Sequence, residues 1–323
     1  MNRIIFSLIL LITGVAFGYV LQKLLNAGVV KLPFSNKTLR LRLQQIALLG
    51  INPVAFLGAI WIAPLRSIRI AALPIIGILV LIVGGLYAWI FSHAFHMNDR
   101  RKGSFITCGS FTNIGSIGAL IVFLLLGEGA FALVPFYKLF EQVVYYGIGF
   151  PVARVYAGAD SEEKTFNFGK IVKDPYILTS VISIAIGFIL NILGISRPDW
   201  YTPLNTLLIP LASVLLLISI GLAIHFGRMK PYLSTGAVIL FIKFLLVPAT
   251  AVGLGFAAGL GSIDDGLPLK VVLILSSMPV GFIALVPPTL YDLDLDLSNT
   301  AWFMTNAGLI IMVPLLWILI NIF

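Results

Sequence analysis

The chain has 323 residues, of which 59% are hydrophobic and only 11% are charged. A soluble domain carries about 25% charged residues, so the composition excludes an ordinary soluble protein and predicts an all-α polytopic membrane protein. The net charge of +8 comes mainly from short segments between apolar runs, where basic residues set membrane orientation and do not indicate nucleic-acid binding.

Hydropathy predicts ten membrane-spanning helices, each long enough to cross a hydrocarbon core of about 30 Å. The first apolar run follows Arg3 as in a signal peptide, but it is long enough to span and lacks a small-residue cleavage site, so we expect it to be retained. The most polar stretch, 157–174, separates two halves of five helices, 1–156 and 175–323. The predicted helices cover residues 4–25, 41–62, 69–91, 104–126, 130–156, 175–193, 203–226, 232–260, 270–290 and 299–320.

Loop charge predicts the orientation of these helices. With the N-terminus outside, the inside loops hold fourteen Lys and Arg residues and the outside segments hold five. Because basic residues accumulate in cytoplasmic loops, we predict a plasma (inner) membrane protein with both termini non-cytoplasmic and the 157–174 connection cytoplasmic. Five helices per half is an odd number, so the halves have opposite orientations and form an inverted repeat, as in many secondary transporters.

The fourth and ninth predicted helices are interrupted at matching places. One reads GSFTNIGSIGALIVFLLL from Gly109, and the other reads LSSMPVGFIALV from Leu275. Aligning Asn113 with Pro279 places the two runs in register. Irregular polar backbone is tolerated at membrane depth only inside protein or beside a water-filled cavity, and paired interruptions point to a transporter's binding site. We therefore predict two broken helices that cross.

A small anion is predicted to bind between the two interruptions, because helix breaks expose backbone N–H groups at the positive end of a helix dipole. Such a site needs no fixed cation, which would oppose the return of an empty carrier across the membrane potential. Proline kinks with small-residue packing are the alternative explanation. The predicted substrate-binding residues are Ser110, Thr112, Asn113, Gly115, Ser116, Asn52, Met278, Pro279, Gly281 and Asn306.

Ionisable residues within predicted helices are the other candidates. Lys138 and Glu141 lie three residues apart in the fifth helix and are predicted to act in coupling, with Glu141 as a proton relay; a structural salt bridge is the alternative. Lys243 lies early in the eighth helix, where its side chain can snorkel to the interface. The sequence has no G-x-S-x-G, H-E-x-x-H or Walker A motif and a single cysteine, Cys108, so we expect no enzyme, metal site or cofactor.

Several short motifs lie in or beside the fourth, seventh, ninth and tenth predicted helices: Asn113, Gly127-Glu128, Ser219-Ile220-Gly221-Leu222, Met278-Pro279, Asp296, Thr300-Ala301 and Pro314. These motifs resemble those of one membrane protein family, the auxin efflux carriers, which includes plant and many prokaryotic proteins. The short 157–174 connection is similar to that of prokaryotic members.

This resemblance implies ten helices in two inverted five-helix repeats, with the fourth and ninth broken and crossing, as in bile-acid symporters. It implies a scaffold domain from the first, second, sixth and seventh helices, a transport domain from the others, an elevator-like motion and a homodimer in the lipid bilayer. The implied function is export or facilitated transport of a small organic anion such as a carboxylate. The chain departs from the family pattern at Ile117–Ala119 and Pro287-Pro288, so auxin is not carried over as substrate. A sodium-coupled symporter of the bile-acid type and a non-transporting sensor are the alternatives.

Overall fold

A computed structural model shows the chain as a set of helices, and it describes residues 2–30, 33, 35–63, 67–158, 175–224 and 228–322. Nearly all of the predicted 157–174 connection lies outside the described residues. In chain order the main helices are α1 (Asn2–Asn26), α2 (Asn36–Trp61), α3 (Ile68–Ala94), α4 (Asp99–Ser110), α5 (Ile114–Leu126), α6 (Glu128–Phe131), α7 (Val134–Tyr137), α8 (residues 141–156), α9 (Pro175–Ile192), α10 (Tyr201–Gly221), α11 (Lys230–Ala257), α12 (Leu267–Ser276), α13 (residues 282–290) and α14 (Leu295–Ile320).

Six of the described helices are long and apolar enough to cross a membrane, which confirms the prediction of a polytopic membrane protein. These six are α1, α2, α3, α10, α11 and α14. The helices α5 and α9 contain shorter apolar stretches, Ile114–Leu126 and Leu178–Ile192. The arrangement as ten spanning helices in an inverted repeat stays a prediction.

The fifth predicted helix, 130–156, is not continuous, and that prediction is wrong for its first half. Short helices α6 and α7 are followed by a turn, after which regular helix resumes at Glu141. Pro135 has no N–H to continue the hydrogen-bond ladder, and Glu141 donates its N–H to the carbonyl of Lys138 (3.0 Å), three residues back. The charged pair therefore lies where a turn becomes a helix.

Three helices contain a wide π-helical turn that ends two residues before a proline. These turns are Ile46–Ile51 before Pro53, Tyr145–Gly149 before Pro151 and Ile242–Leu246 before Pro248. Proline removes one backbone donor and its ring crowds the carbonyl four residues back, and a π turn relieves both effects without ending the helix. Such turns also rotate the side chains that they contain, and they are frequent at functional sites.

The described residues divide into two compact units. The first unit lies within 1–65, 115–135 and 172–225, and the second within 66–114, 136–171 and 226–323. In the first unit α1 packs along α10, where a Cβ added to Gly221 would lie 2.2 Å from the carbonyl oxygen of Val15. Glycine in the Ser-Ile-Gly-Leu motif therefore permits a close helix contact. The assignment of helices to scaffold and transport domains stays a prediction.

Candidate functional site

The fourth and ninth predicted helices are both interrupted. Three non-helical residues follow Ser110, the end of α4, before α5 begins. Residues 277–281 follow Ser276, the end of α12, before α13 begins. The interruptions contain Asn113 and Pro279, the two residues on which the sequence alignment was based.

The two interruptions are hydrogen-bonded to each other within the second unit. Thr112 and Val280 form an isolated antiparallel bridge. The backbone of the next residue, Gly281, passes so close that an added Cβ would lie 3.0 Å from the Thr112 carbonyl oxygen. A larger residue at 281 would therefore crowd the bridge. Two backbone hydrogen bonds flank the bridge, from the Asn113 N–H to the Pro279 carbonyl at 2.9 Å and from the Gly281 N–H to the Phe111 carbonyl at 3.0 Å.

The N–H groups of the two bridge residues themselves donate hydrogen bonds to side chains from other helices. The Thr112 N–H donates to the hydroxyl of Tyr145 (3.1 Å), and the Val280 N–H donates to Oγ1 of Thr305 (3.2 Å). Together with Asn113 and Gly281, four backbone N–H groups at the interruptions thus have protein acceptors. The sequence predicted that N–H groups at the breaks would be available to an anion, but these four already stabilise the irregular backbone.

Lys243 lies beside this bridge, so the expectation that it snorkels to the interface is wrong. The side chain, in the π turn of α11, is 0% exposed. Its Nζ donates to Oγ1 of Thr112 (2.5 Å) and to the carbonyl of Gly109 (3.1 Å). Gly109 allows this approach because α4 packs tightly on α3 there: a Cβ at Gly109 would lie 2.4 Å from that of Ala88. The site therefore contains a fixed basic group, contrary to the expectation of a site without one.

A chain of polar contacts connects the bridge to Glu141 and Lys138. The Tyr145 hydroxyl lies 2.9 Å from the Thr112 carbonyl oxygen and 2.8 Å from Oε1 of Glu141, so its single hydrogen can be donated to either. Oε2 of Glu141 lies 3.7 Å from Nζ of Lys138. Glu141 is 8% exposed and Lys138 is 22% exposed, so the chain leads from a partly exposed lysine to the buried bridge.

The other predicted site residues of the second unit have local partners. The Ser110 hydroxyl donates to the carbonyl of Leu81 (2.9 Å), and the Asn306 amide donates to the carbonyl of Trp302 (2.7 Å), one turn earlier in its own helix. Met278 is fully buried between the two parts of the ninth predicted helix. Of the predicted residues, the structure thus brings Thr112, Asn113, Pro279 and Gly281 together most closely. The last three of the predicted residues, Asn52, Gly115 and Ser116, belong to the first unit, where Asn52 and Ser116 are buried.

The first unit contains a largely buried ion pair that the sequence analysis did not identify, with the side chains of Arg197 and Glu128 5% and 14% exposed. Both terminal nitrogens of Arg197 donate to the Glu128 carboxylate, and Nη1 also donates to the carbonyl of Gly58 (2.7 Å). The Asn205 amide donates to Oε1 of Glu128 (2.6 Å). The Gly-Glu motif therefore supplies an ion pair as well as a turn, at which Gly127 has a φ of +86°.

The acidic loop before α14 forms contacts at a helix end. Asp294 accepts a hydrogen bond from the Leu297 N–H (3.0 Å) as the N-cap of α14, and it also accepts from the hydroxyl of Tyr232 (2.8 Å). Asp292 pairs with Arg100 at 2.7 Å. A carboxylate at a helix N-terminus is stabilised by the backbone donors there, so this part of the loop has a structural explanation.

The sequence matches no protein-family profile. It is similar to an uncharacterized transporter of Methanocaldococcus jannaschii, with 27% identity over 254 residues that cover 75% of this chain and 76% of the relative. It is also similar to an uncharacterized transporter of Methanothermobacter thermautotrophicus, with 21% identity over 233 residues that cover 72% and 73% of the two chains. Both similarities extend over about three quarters of each protein.

Proposed function

We propose that the chain is a secondary transporter of a small organic anion such as a carboxylate, and that the anion binds at the interruptions containing Asn113 and Pro279. The two archaeal relatives named as transporters support transport in general. The helices that are long and apolar enough to span a membrane support the same general function.

The hydrogen-bonded interruptions are the observation that carries the proposal. A polytopic protein without a function at these positions has no need for broken backbone, because uninterrupted helices satisfy their own hydrogen bonds in lipid. Here the Thr112–Val280 bridge and its flanking bonds hold two broken helices together. Discontinuous helices that meet in this way are typical of transporter substrate sites.

The same proposal includes membership of the auxin efflux carrier family, an elevator-like motion and a homodimer in the plasma (inner) membrane. The two compact units support the elevator proposal, since the first contains the first, second, sixth and seventh predicted helices and the second contains the third, eighth, ninth and tenth. Residues of the fourth and fifth predicted helices belong partly to each unit. Motion of one such unit within the bilayer would change access to the site.

Glu141 and Lys138 are proposed as the coupling pair. Their support is the contact chain through Tyr145, because the single hydroxyl hydrogen is shared between Glu141 and the Thr112 carbonyl. Protonation of Glu141 on Oε1 would turn the carboxyl into a donor to the tyrosine, and the tyrosine would then donate to Thr112. A proton would in this way change the hydrogen bonding of the bridge itself.

Uptake into proteoliposomes tests the function. Purified protein is reconstituted, and accumulation of radiolabelled butyrate, pyruvate, succinate and benzoate is measured against protein-free liposomes. We expect uptake of at least one of these anions. Parallel measurements with a sodium gradient and with a pH gradient identify the coupling ion, and stimulation by sodium alone would favour the bile-acid type of symport. Absence of uptake of every anion under all gradients would contradict organic-anion transport.

A further inference from the structure

We propose that Lys243 binds the transported anion directly and supplies the positive charge that neutralises it, an inference that rests on the proposed function above. The lysine is fully buried in the π turn of α11. Its two hydrogen-bond acceptors are the carbonyl of Gly109, in the last turn of α4, and Oγ1 of Thr112, the first residue of the bridge. The basic group is therefore located at the interruption itself.

The hydrogen bonding of Lys243 is incomplete. An ammonium group has three N–H donors, and Thr112 and Gly109 accept two of them. Within the part of the chain that the structure describes, Nζ has no third acceptor and no carboxylate within 4 Å. A buried cation without a counter-ion is strongly unfavourable, so this position favours binding of an anion from solution.

Glu141 does not supply this counter-ion. Its Oε2 lies 3.7 Å from Lys138 and its Oε1 lies 2.8 Å from the hydroxyl of Tyr145. It is thus separated from Lys243 by Tyr145 and the Thr112 residue.

Backbone groups at the bridge are also poorly placed to replace the lysine. The N–H groups of Thr112, Asn113, Val280 and Gly281 already donate to protein acceptors. An anion that used them would have to break bonds that hold the two interruptions together. The remaining N–H of Lys243 requires no such loss, so recognition of the negative charge depends mainly on this side chain.

Among the described residues, Lys243 is the one basic group hydrogen-bonded to the bridge, and this single charge defines the chemical class of the anion. One lysine neutralises one negative charge, and a second carboxylate buried beside it would lack a partner. We therefore infer a monocarboxylate as the substrate class. Butyrate and succinate are matched probes for this inference, because both have four carbons and they differ in carrying one or two carboxylates.

Binding of both radiolabelled probes to purified protein tests the inference. The main variant is Lys243→Gln, which removes the charge but retains two N–H donors for the neighbouring oxygens. Lys243→Met removes the donors as well. Lys230→Met is the matched control, since Lys230 is an exposed lysine at the start of the same helix. Monodispersity on size exclusion and the thermal unfolding temperature establish that each variant is folded.

For the wild type we expect butyrate to bind at least about tenfold more tightly than succinate, because succinate would bring an unpaired charge into the site. Because both variants remove one partner of a buried charge pair, Lys243→Gln and Lys243→Met should each weaken butyrate binding by about 30-fold or more. Lys230→Met should bind butyrate with wild-type affinity.

Wild-type affinity in folded Lys243→Gln would overturn the direct role of Lys243 while leaving organic-anion transport intact. Tighter binding of succinate than of butyrate would overturn the single-charge match. If the wild type neither bound nor transported any anion of the panel, the proposed function itself would fail. If Lys243→Met does not fold, Lys243→Gln decides the question, because it preserves the hydrogen-bond donors.

Discussion

Arg197 and Lys243 are both buried basic residues, but their surroundings differ in one respect. Arg197, in the first unit, donates to the Glu128 carboxylate and also to the hydroxyl of Thr202 (2.8 Å). Lys243, in the second unit, donates only to uncharged oxygens among the residues that the structure describes. The first cation has its counter-ion within the protein, whereas no described residue supplies a carboxylate to the second.

We propose that this difference separates a structural charge, Arg197, from a functional one, Lys243. A buried cation that is paired and fully hydrogen-bonded needs nothing from outside, and its loss leaves a carboxylate unpaired. A buried cation without a carboxylate destabilises the protein when no anion is bound. Ionisable residues at membrane depth are costly, so they generally indicate a functional site. Comparing the two residues experimentally therefore tests both assignments together.

The largest effect is expected for Arg197→Met. Loss of the arginine leaves the largely buried Glu128 carboxylate with the Asn205 amide as its remaining polar partner among the described residues, and breaking a buried pair costs about 3–5 kcal/mol. Unfolding by SDS in mixed micelles measures this loss of stability. The double variant Arg197→Met/Glu128→Leu should recover much of it, because no unpaired charge then remains. A single variant as stable as the wild type would show that the pair is not structural.

Asn113→Ala is expected to weaken anion binding by about 1–3 kcal/mol, the usual cost of losing a hydrogen bond to a charged group. Its backbone N–H still donates to the Pro279 carbonyl, so the bridge and the stability of the fold should be preserved. Butyrate binding and SDS unfolding, measured on the same preparation, separate the two effects. Unchanged affinity in a monodisperse variant would move the anion site away from Asn113.

Glu141→Gln tests the Lys138–Glu141 pair, in which the basic residue is paired less closely than Arg197 but, unlike Lys243, has a carboxylate nearby. The 3.7 Å separation and the partial exposure of Lys138 predict a loss of stability of only about 1–2 kcal/mol. If Glu141 relays protons, the pH dependence of uptake should become flat. A variant that loses stability but keeps the wild-type pH profile would identify the pair as structural. The double variant Glu141→Gln/Lys138→Met should be more stable than the single one.

The smallest effect on stability is expected for Lys243→Met. Two hydrogen bonds are lost, each contributing about 1 kcal/mol, but an unpaired buried charge is removed as well. The two terms oppose each other, so unfolding by SDS should change by less than about 1 kcal/mol. A loss as large as that of Arg197→Met would mean that the lysine is mainly structural.

The sequence alone determined where six long apolar helices of the described residues lie and where the fourth and ninth predicted helices break. Hydropathy is a property of consecutive residues, so α1, α3 and α14 are found close to their predicted bounds. The breaks were predictable for the same reason, because Asn113 and Pro279 are locally unsuited to a continuous helix in lipid. The π turns that precede prolines also depend on nearby residues in the sequence, although we did not predict them.

Only the tertiary structure decided which side chains meet. Lys243 and Thr112 are 131 positions apart, and Arg197 and Glu128 are 69 apart, so neither contact has a local signature. A lysine near a helix end can snorkel or turn inward with the same sequence, and the packing of α3, α4 and α11 selects the inward position. The tertiary packing likewise supplied protein acceptors for the backbone donors that the sequence had left available for an anion. The position of a long polar side chain depends on the helices that pack around it, and the residues of those helices are far apart in the sequence.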